Sequence, residues 1–409
     1  MERLQFFNLL CHVLHVARLA VMTTMAEVNV YLQLNQKIFF QKLKNHMMML
    51  NFYRTYNLPF KYIIPNYIFV HLQKVKFFSR FFKFFRRYLL LSLLGQKKLE
   101  TFKILQTHKK ILWINISAPS FGDSLMDLSS RILLKEKILD LYTDEKNANL
   151  YLDDNYFNNI YTNFKALNTN QYDLVIMDSY SSRTLKIKAK VAPKTHFVGM
   201  FGYFNGPEVN RILFSFHQMN SLLSYSMTEE EVINKSKNSL SVSSKDKKIV
   251  KNIIPNKYIT IALGGEWKYK TYQKWKEVIS QLFLDDEDLN IIFVGSNNAL
   301  NVSNDLIEYF PEKKLLNFTS RLSFNQTAEV IRKSEVFLCC DGGLMHAATA
   351  MDSKIIGLLA RLTPDMLLTK NTNLYSLYDK ETVNNISSSA IISKYYEASS
   401  FVDNHPQSE

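Results

Sequence analysis

The sequence predicts an α/β protein in which parallel sheets are covered by helices on both faces. Short apolar segments that read as buried strands, such as residues 110–116 and 258–263, alternate with helical segments beyond Lys109. Strands that alternate with helices in this way indicate parallel strands, because each crossover lays a helix on the sheet. Glycine pairs follow two of the strands, at Gly264 and at Gly342.

In the first half of the chain, strands are predicted at residues 110–116, 173–178 and 195–201, and a helix from near Ser124 to about residue 137. In the second half, strands are predicted at residues 258–263, 290–294, 315–318, 336–340 and 354–359, and helices at 272–283 and 326–334. A polar stretch rich in Lys, Ser and Asn, residues 228–256, separates the two series and indicates a linker.

Length and composition allow two domains and an extension. A chain of 409 residues, 47% of them hydrophobic, is long enough to bury large cores. The predicted parts are an extension (1–104), a first α/β domain (105–240), a linker (241–256), a second α/β domain (257–375), and a C-terminal helix with a polar tail (376–409). The three cysteines offer neither a disulfide framework nor metal-ligand spacing, which fits a reducing cytoplasm.

The excess of positive charge lies entirely in the N-terminal quarter. The formal net charge is +13, and between Glu27 and Glu100 thirteen Lys and Arg residues occur without any Asp or Glu. Residues 74–94 carry basic side chains at helical spacing, among them Lys76, Arg80 and Arg87, with pairs of aromatic residues between them. This segment is too charged to span a bilayer. We expect a basic, largely helical extension that binds an anionic membrane surface through residues 74–94.

Two other interpretations of residues 74–94 stay open. The segment could be a core helix with a solvated basic edge, or it could bind a single-stranded nucleic acid, since basic and aromatic residues suit both. We favour the membrane and expect no nucleic-acid partner. Residues 1–26 resemble a signal sequence only weakly, because polar residues interrupt the apolar run, and a start at Met22 or Met25 is an alternative.

Residues 336–350 carry the strongest indication of a ligand site. An apolar run ends at Asp341, Gly342 and Gly343 follow, and an Ala-rich stretch has high helix propensity. A strand that passes into a helix through glycines leaves backbone N–H groups at the positive end of the helix dipole, where a phosphate or diphosphate binds. His346 lies one turn into this helix and could reach the same anion. The alternative is an ordinary strand–turn–helix junction.

Four motifs in this order together resemble glycosyltransferase family 9, the ADP-heptose:lipopolysaccharide heptosyltransferases, over about residues 110–365. They are Ser-Phe-Gly-Asp at 120–123, the segment from Asn317 through Glu329, Asp-Gly-Gly-Leu-Met-His at 341–346, and Thr-Pro at 363–364. The resemblance implies a GT-B architecture, in which two Rossmann-like domains face each other across a cleft and the C-terminal one holds a donor nucleotide sugar. It implies a donor site made of Gly264, Asp341, Gly342, Gly343, His346 and Thr363.

The resemblance also assigns two catalytic roles. Inverting glycosyl transfer needs a base for the acceptor hydroxyl and a cation for the departing nucleoside diphosphate, and these would be Asp123 and Lys270. Asp123 could instead cap a helix that starts at Ser124, and Lys270 could be a solvated lysine at a helix start, with Lys274 as another candidate for the cation. Arg321 and Arg361 are weaker anion-binding candidates. No carboxylate cluster has a metal spacing, so we expect no metal and no cofactor beyond the nucleotide-sugar substrate.

The sequence therefore predicts an inverting glycosyltransferase that transfers heptose from ADP-heptose to a lipid A-linked lipopolysaccharide core acceptor, on the cytoplasmic face of the inner membrane. The family often has an acidic residue for the ribose after the strand that ends at Gly295, but this chain has none there, so another nucleotide sugar is an alternative. A protein acceptor and a noncatalytic membrane-bound GT-B protein are further alternatives. Residues 121–125 also spell the nucleophile block of GDSL-type serine esterases, with Ser124 as nucleophile, but no histidine has an Asp three positions before it.

Overall fold

The computed structural model describes residues 85–116, 118–167, 171–202, 210–224, 227–370 and 374–400. Most of the predicted extension, including residues 74–84 of the membrane-binding segment, lies outside these ranges, as does the polar tail from residue 401 onward. No helix in the described ranges is long and apolar enough to cross a membrane.

A five-stranded parallel sheet forms the N-terminal domain, with the strand order β3-β2-β1-β4-β5. Its strands are β1 (Lys110–Asn115), β2 (Ile138–Thr143), β3 (Asn159–Tyr161), β4 (Leu174–Ser179) and β5 (Phe197–Gly202). The central strand β1 is fully apolar from Ile111 to Ile114 and is buried on both faces, as the sequence predicted. Strands β1, β4 and β5 confirm three predicted segments.

Strands β2 and β3 were not predicted, and the side chain of Asp140 explains why β2 is hard to recognise. This carboxylate lies fully buried in the middle of β2, where a charged residue argues against a strand. It accepts hydrogen bonds from the Tyr172 hydroxyl at 2.8 Å and from Asn159 Nδ2 at 2.9 Å. Because these donors lie far along the chain, the local sequence does not reveal that the carboxylate is satisfied.

Among the described residues of this half, residues 85–93 are helical before β1, and five helices follow it. They are α1 (Phe121–Asp127), α2 (Glu145–Ala148), α3 (Ser182–Val191), α4 (Arg211–Leu222) and α5 (Glu229–Lys235), with 3-10 turns at Lys97–Leu99, Ser129–Leu134 and Phe164–Ala166. The helix predicted to begin near Ser124 and to run to about residue 137 starts three residues earlier and is ten residues shorter at its end. It begins at Phe121, because the side chain of Ser120 caps it, and it ends at Asp127, where the chain tightens into a 3-10 turn.

A six-stranded parallel sheet forms the C-terminal domain, with the order β11-β10-β9-β6-β7-β8. Its strands are β6 (Ile259–Ala262), β7 (Ile291–Val294), β8 (Leu315–Asn317), β9 (Phe337–Cys340), β10 (Ile355–Ala360) and β11 (Leu374–Asp379). The first five confirm predicted segments. β11 was missed, because this edge strand is only half-buried and carries few aliphatic side chains, and it spans the predicted boundary between residues 375 and 376.

Helices cover both faces of this sheet, as expected for parallel strands joined by right-handed crossovers. They are α6 (Ser244–Lys251), α7 (Trp275–Asp285), α8 (Leu300–Tyr309), α9 (Phe324–Lys333), α10 (Gly343–Ala350), α11 (Pro364–Leu367) and α12 (Ser388–Ser400), with 3-10 turns at Lys268–Lys270, Asn297–Ala299 and Val383–Asn385. Helices α7 and α9 confirm the predicted segments to within a few residues.

The polar stretch 228–256 contains two helices, α5 and α6. Val232 of α5 packs with Met126 and Phe216 of the N-terminal domain, whereas Val250 of α6 packs in the core of the C-terminal domain. The chain therefore crosses between the domains from about residue 236 to residue 243. One buried side chain in each helix is enough to dock an otherwise polar segment.

The described end of the basic extension packs on the N-terminal domain. Residues 85–93 are helical, Leu91 is fully buried in that domain's core, and Arg87 Nη1 donates to the carbonyl oxygen of Gly202 at 3.1 Å. Residue Thr101 donates its N–H to the carbonyl of Phe197 at 2.8 Å. Arg87, one of the basic residues expected to bind an anionic membrane surface, is instead buried against the end of β5.

A fully buried arginine ties the turn after α1 to the interdomain connection. Arg131 donates Nε and Nη2 to Asp154 Oδ2 at 3.0 and 2.5 Å, and Nη2 also donates to the carbonyl of Ser239 at 2.9 Å. Nη1 reaches the carbonyl of Leu128 at 3.1 Å. Three aromatic rings, of Tyr151, Tyr156 and Phe157, surround the guanidinium. A buried charge is tolerated only when it is paired and hydrogen-bonded, as this one is.

We predict that Asp154→Asn lowers the free energy of unfolding by about 3 kcal/mol, because Arg131 would be left buried without its counter-charge. The measurement is a urea titration followed by circular dichroism. Asp153→Asn is the matched control, since it removes the same charge at an exposed neighbouring position and should change stability by less than about 0.5 kcal/mol. Equal losses in the two variants would contradict the prediction.

Candidate functional site

The loops that follow the strands of both sheets enclose one cleft of about 710 Å³. Ser120 and Phe121 after β1 line it from the N-terminal domain. The turns after β6, β7 and β9 line it from the C-terminal domain. Ligands of open parallel sheets bind at the carboxyl ends of strands, and the volume is within the range of small-molecule sites.

The two domains meet where the first turns of α1 and α10 come together. A Cβ atom on Gly122 would lie 2.8 Å from Cδ2 of His346 and 3.2 Å from Cα of Gly343. Both distances are too short for ordinary contacts, so only glycine allows the helices to approach this closely. Phe121 and Phe324 pack beside this contact with ring centroids 4.7 Å apart. The contact places Asp123, the residue after Gly122, across the cleft from the turn at Gly342.

Asp123 lies in the first turn of α1 and faces the cleft. Ser120 is the N-cap residue; its Oγ accepts from the backbone N–H of Asp123 at 3.2 Å and donates to Asp123 Oδ2 at 2.6 Å. The carboxylate side chain is 22% exposed. The alternative that Asp123 caps a helix starting at Ser124 is wrong, because Ser120 performs that role three residues earlier.

Arg211 is a cleft residue that the sequence analysis missed. It is the first residue of α4, and its Nη1 donates to Asp123 Oδ1 at 3.1 Å. The same guanidinium binds Asp127 in bidentate fashion, with Nη2 at 2.5 and 2.6 Å from the two oxygens and Nε at 2.8 Å from Oδ1. No local motif marks Arg211, which lies 88 positions from Asp123 in the sequence.

Burial and pairing act in opposite directions on the charges of this group. Burial raises the pKa of Asp127 to about 7, although the neighbouring guanidinium opposes the shift. Burial also disfavours the charge of Arg211, but Asp127 and Asp123 outweigh it and raise the pKa of the guanidinium. Arg211 is therefore always charged, and it is Asp127 that gains a proton as the pH falls through about 7.

The opposite wall of the cleft contains the predicted anion-binding turn. β9 ends at Cys340, Asp341 follows, and α10 begins at Gly343 with Gly342 as its N-cap and no capping side chain. Its first N–H groups are thus available at the positive end of the helix. Lys270, 17% exposed at the end of a 3-10 turn, forms an ion pair with Asp341 and lines the cleft. Lys274 does not line it, so of the two candidate lysines Lys270 is the one at the cleft.

His346 lies in α10 with its ring against Gly122. Burial lowers the pKa of the imidazole, although Asp341 and Asp123 oppose the shift, so the ring is neutral near pH 7. Its Nδ1 is buried and has no hydrogen-bond partner among the described residues. The residue lines the cleft, so a ligand that reached this nitrogen would satisfy a polar atom that otherwise has no partner.

The other candidates differ in position. Gly264 lines the cleft after β6, and a Cβ there would meet Asn298 Oδ1 at 2.5 Å. Thr363 does not line it, although its neighbour Leu362 does. Arg321 and Arg361 are also outside the lining residues, and Arg361 stacks on the ring of Tyr269 at 3.8 Å.

The wall after β7 is polar and uncharged. Ser296, Asn297 and Asn298 line it, and Ser320 Oγ donates to Asn297 Oδ1 at 2.6 Å. Asn298 Nδ2 donates to the carbonyl of Gly265 at 2.9 Å. These groups can bind hydroxyls or a nucleobase edge without adding charge.

Ser124 does not face the cleft. It is fully buried, and its hydroxyl shares a hydrogen bond of 2.9 Å with the hydroxyl of Tyr151. An esterase nucleophile must reach its substrate and an adjacent base, so the structure gives the serine-esterase alternative no support.

The cleft thus joins an anion-binding turn and a lysine on one wall with a hydrogen-bonded carboxylate on the other. Such an arrangement suits the transfer of a group from an anionic leaving group to a hydroxyl, because the carboxylate can accept the proton and the opposite wall can hold the leaving anion. In the described part of the chain, no three His, Cys, Asp or Glu side chains are grouped to hold a metal ion.

Comparison with known proteins agrees with this geometry. Residues 160–389 match the sequence profile of glycosyltransferase family 9 (heptosyltransferase), a range that includes Lys270 and Asp341 but begins after Asp123. No curated protein matches the chain significantly. Among solved structures, a family 9 glycosyl transferase from Veillonella parvula superposes with a TM-score of 0.60 and 12% identity, over 72% of this chain and 98% of that one.

Two structures from E. coli are also similar. The ADP-heptose lipopolysaccharide heptosyltransferase II has a TM-score of 0.59 and 17% identity, over 71% of this chain and 98% of its own. Heptosyltransferase WaaC, solved with ADP, has a TM-score of 0.54 and 15% identity, over 71% and 99%. At these identities the likeness shows a common fold of two facing Rossmann-like domains.

We predict that Gly122→Ala destabilises the contact between α1 and α10 by about 1–3 kcal/mol, because the added methyl group would overlap the ring of His346 and the backbone of Gly343. Thermal unfolding measures the loss. Gly342→Ala is the control, since a Cβ there meets nothing closer than 4.0 Å and the backbone is extended, with φ 178°. A Gly122→Ala variant as stable as the control would refute the proposed close packing.

Proposed function

Because the chain belongs to glycosyltransferase family 9 and has the GT-B fold, we propose that this glycosyltransferase transfers heptose from ADP-heptose to a lipopolysaccharide core acceptor. The observation that carries the proposal is the placement of Asp123 across one cleft from Lys270 and the Gly342–Gly343 turn. The solved E. coli relatives support the choice of donor, since one is described as an ADP-heptose enzyme and another contains ADP.

In the proposed mechanism the donor diphosphate lies on the N-terminal turn of α10. The amides of Gly342 and Gly343 and the helix dipole bind its oxygens. Lys270 approaches from the side and stabilises the charge that develops on the departing nucleoside diphosphate. Asp341 holds Lys270 in place, and the neutral ring of His346 offers Nδ1 to the donor. Gly264 lines the cleft, where the absence of a side chain leaves room for Asn298, and Thr363 lies just outside the cleft lining.

Asp123 acts as the general base. As the acceptor oxygen attacks the anomeric carbon, the bond from that carbon to the diphosphate breaks, and the carboxylate takes the proton from the acceptor hydroxyl. Attack from the side opposite the leaving group inverts the configuration. The position of Asp123 in the N-terminal domain, facing the turn at Gly342, supports in-line attack. No metal or further cofactor takes part in this proposal.

The proposed location is the cytoplasmic face of the inner membrane, where the enzyme binds peripherally. A lipid A-linked acceptor would be found at an anionic surface, and basic residues near such a surface each contribute about 1 kcal/mol to binding. Residues 74–84 of the proposed binding segment lie outside the described residues. In its described part, Arg86 is exposed and Leu93 is 75% exposed, while Arg87 is held by the protein.

A different nucleotide sugar is the second candidate donor, and one observation favours it. The side chains after β7 that face the cleft are Ser296, Asn297 and Asn298, so none of them is a carboxylate for the ribose. Protein acceptors rank lower, because the chain lacks the cysteine-rich metal motif of the autotransporter heptosyltransferases. A noncatalytic role also ranks lower, because Asp123 and Lys270 are both present and both face the cleft.

We predict that Asp123→Asn lowers kcat by about 10²–10⁴-fold, the usual contribution of a general base. The assay offers a panel of nucleotide sugars including ADP-heptose with truncated lipopolysaccharide, and records nucleotide release and the mass of the acceptor. Lys270→Met should also slow transfer, whereas Lys274→Met, the same change outside the cleft lining, should not. Transfer of a different sugar would support the proposed mechanism but identify a different donor. Full activity of Asp123→Asn would exclude this base.

We also predict that replacing Lys76, Arg80 and Lys83 together by Gln weakens binding to vesicles that contain anionic lipid. Loss of three charges near the surface should lower the partition coefficient by about 100-fold, at about 1 kcal/mol for each charge. Vesicle flotation measures the effect. Replacing Lys245, Lys247 and Lys248 of α6 by Gln removes the same charge from an exposed helix and serves as the control. Equal binding by both triple variants would contradict the membrane assignment of residues 74–94.

A further inference from the structure

We propose that Asp127 and Arg211 are positioning residues that hold the base Asp123 in its working orientation. The inference rests on the proposed function, because it assigns them a role through Asp123 in the same transfer reaction. Neither residue belongs to a motif that the sequence analysis recognised.

The contacts form a chain from the protein interior to the cleft. Asp127 accepts three hydrogen bonds from Arg211, at 2.5, 2.6 and 2.8 Å. The Nη1 atom of Arg211 also donates one hydrogen bond of 3.1 Å to Asp123 Oδ1. Ser120 donates to the other oxygen, Oδ2, at 2.6 Å. Two donors on two different oxygens fix the plane of the Asp123 carboxylate, and each oxygen keeps a lone pair for the incoming hydroxyl proton.

Asp127 cannot take part by touching substrate. Its side chain is 3% exposed and does not line the cleft, whereas Arg211 is 23% exposed and does. The Asp127 backbone is fixed as well, since Ser215 Oγ donates to its carbonyl at 3.0 Å. Asp127 is therefore held in place away from the cleft, and any effect it has on the reaction must act through Arg211. A misplacement of about 1 Å in a reacting group lowers rates by about 100-fold.

The helix geometry explains why these residues meet. Asp123 and Asp127 are four positions apart on α1, so their side chains lie on the same face of the helix. Two carboxylates so placed repel each other unless a cation lies between them. Arg211, at the start of α4, provides that cation, and its planar fork can bind both, which an ammonium group could not do in the same way.

The surrounding charges make this arrangement sensitive to pH. Arg211 from α4, Asp123 from the same helix, Asp178 at the end of β4 and the Tyr151 hydroxyl are the titratable groups that act on Asp127. Burial raises the pKa of Tyr151, so this hydroxyl stays neutral. Because the pKa of Asp127 is raised to about 7, its carboxylate is ionised above that pH and is protonated below it. The charge-assisted bidentate pair is thus present at higher pH and weakens as the pH falls through about 7, because the protonated carboxyl loses its charge and keeps only one free acceptor oxygen.

The test is Asp127→Asn, which keeps the shape of the side chain but removes its charge and one acceptor oxygen. We expect kcat per folded enzyme to fall by about 10–100-fold while KM for the nucleotide sugar changes by less than about twofold. In wild type, kcat should fall as the pH decreases through about 7, and this limb should be missing in the variant. A residue that only stabilised the fold would not change the pH profile.

Two controls separate positioning from folding. Asp154→Asn removes another buried carboxylate that pairs with an arginine in the same domain, away from the cleft, and should lower stability without changing kcat per folded enzyme. The double variant Asp123→Asn/Asp127→Asn should be no slower than Asp123→Asn alone, since Asp127 acts only through Asp123. If Asp127→Asn does not fold well enough to assay, Asp127→Glu should fold and show reduced kcat with an acid limb retained.

The outcomes distinguish this inference from the proposed function. Wild-type transfer that is lost in Asp123→Asn but unchanged in Asp127→Asn, with the same pH profile, would overturn the positioning role alone. A double variant much slower than Asp123→Asn would also overturn it, because Asp127 would then have a separate effect. Absence of transfer by wild type with any nucleotide sugar, or full activity of Asp123→Asn, would overturn both.

Discussion

The close approach of α1 to α10 is the constraint on which the cleft depends. Gly122 meets the ring of His346 and the backbone of Gly343 at distances that leave no room for a Cβ atom. This contact brings the first turns of two helices together, one from each domain. Asp123 is therefore placed opposite the turn at Gly342 and Gly343, although the two belong to different domains. A wider separation would leave the same side chains on two surfaces without a common substrate position.

Ion pairs hold the charged side chains of the cleft and of the neighbouring interior in place. Lys270 is paired with Asp341 on the cleft wall that carries the turn at Gly342, Arg211 with two carboxylates on the opposite wall, and Arg131 with Asp154 in the interior. Each pair reduces the free-energy cost of holding a charge away from water. In the cleft, the pairs also set orientation, because an arginine or lysine held by a carboxylate has few positions available to it. The described structure thus uses the same device for stability and for placement of reactive groups.

Much of the fold could be predicted because parallel strands buried on both faces are apolar throughout. Eight strands were recognised in this way, namely β1, β4, β5 and the five strands from β6 to β10. The local sequences of the missed strands do not indicate a buried β-strand. β2 contains the buried Asp140, β3 has only three residues, and β11 is a half-buried edge strand. The start of α1 was misplaced, because Ser120 rather than Asp123 caps it. For β2, hydrogen bonds from other parts of the chain decided the outcome, and for α1 the choice among several possible capping residues did.

By itself, the sequence determined the α/β class, the order of the two domains, and the motif from Asp341 to His346. These features depend on local periodicity and on glycines that are neighbours in the sequence. Only the tertiary structure decided which side chains meet. It placed Lys270 rather than Lys274 at the cleft, buried Ser124 against Tyr151, and brought Arg211 to Asp123 across 88 positions of sequence. The physical reason is that side-chain pairing and burial depend on distances in space, which a pattern of neighbouring residues does not contain.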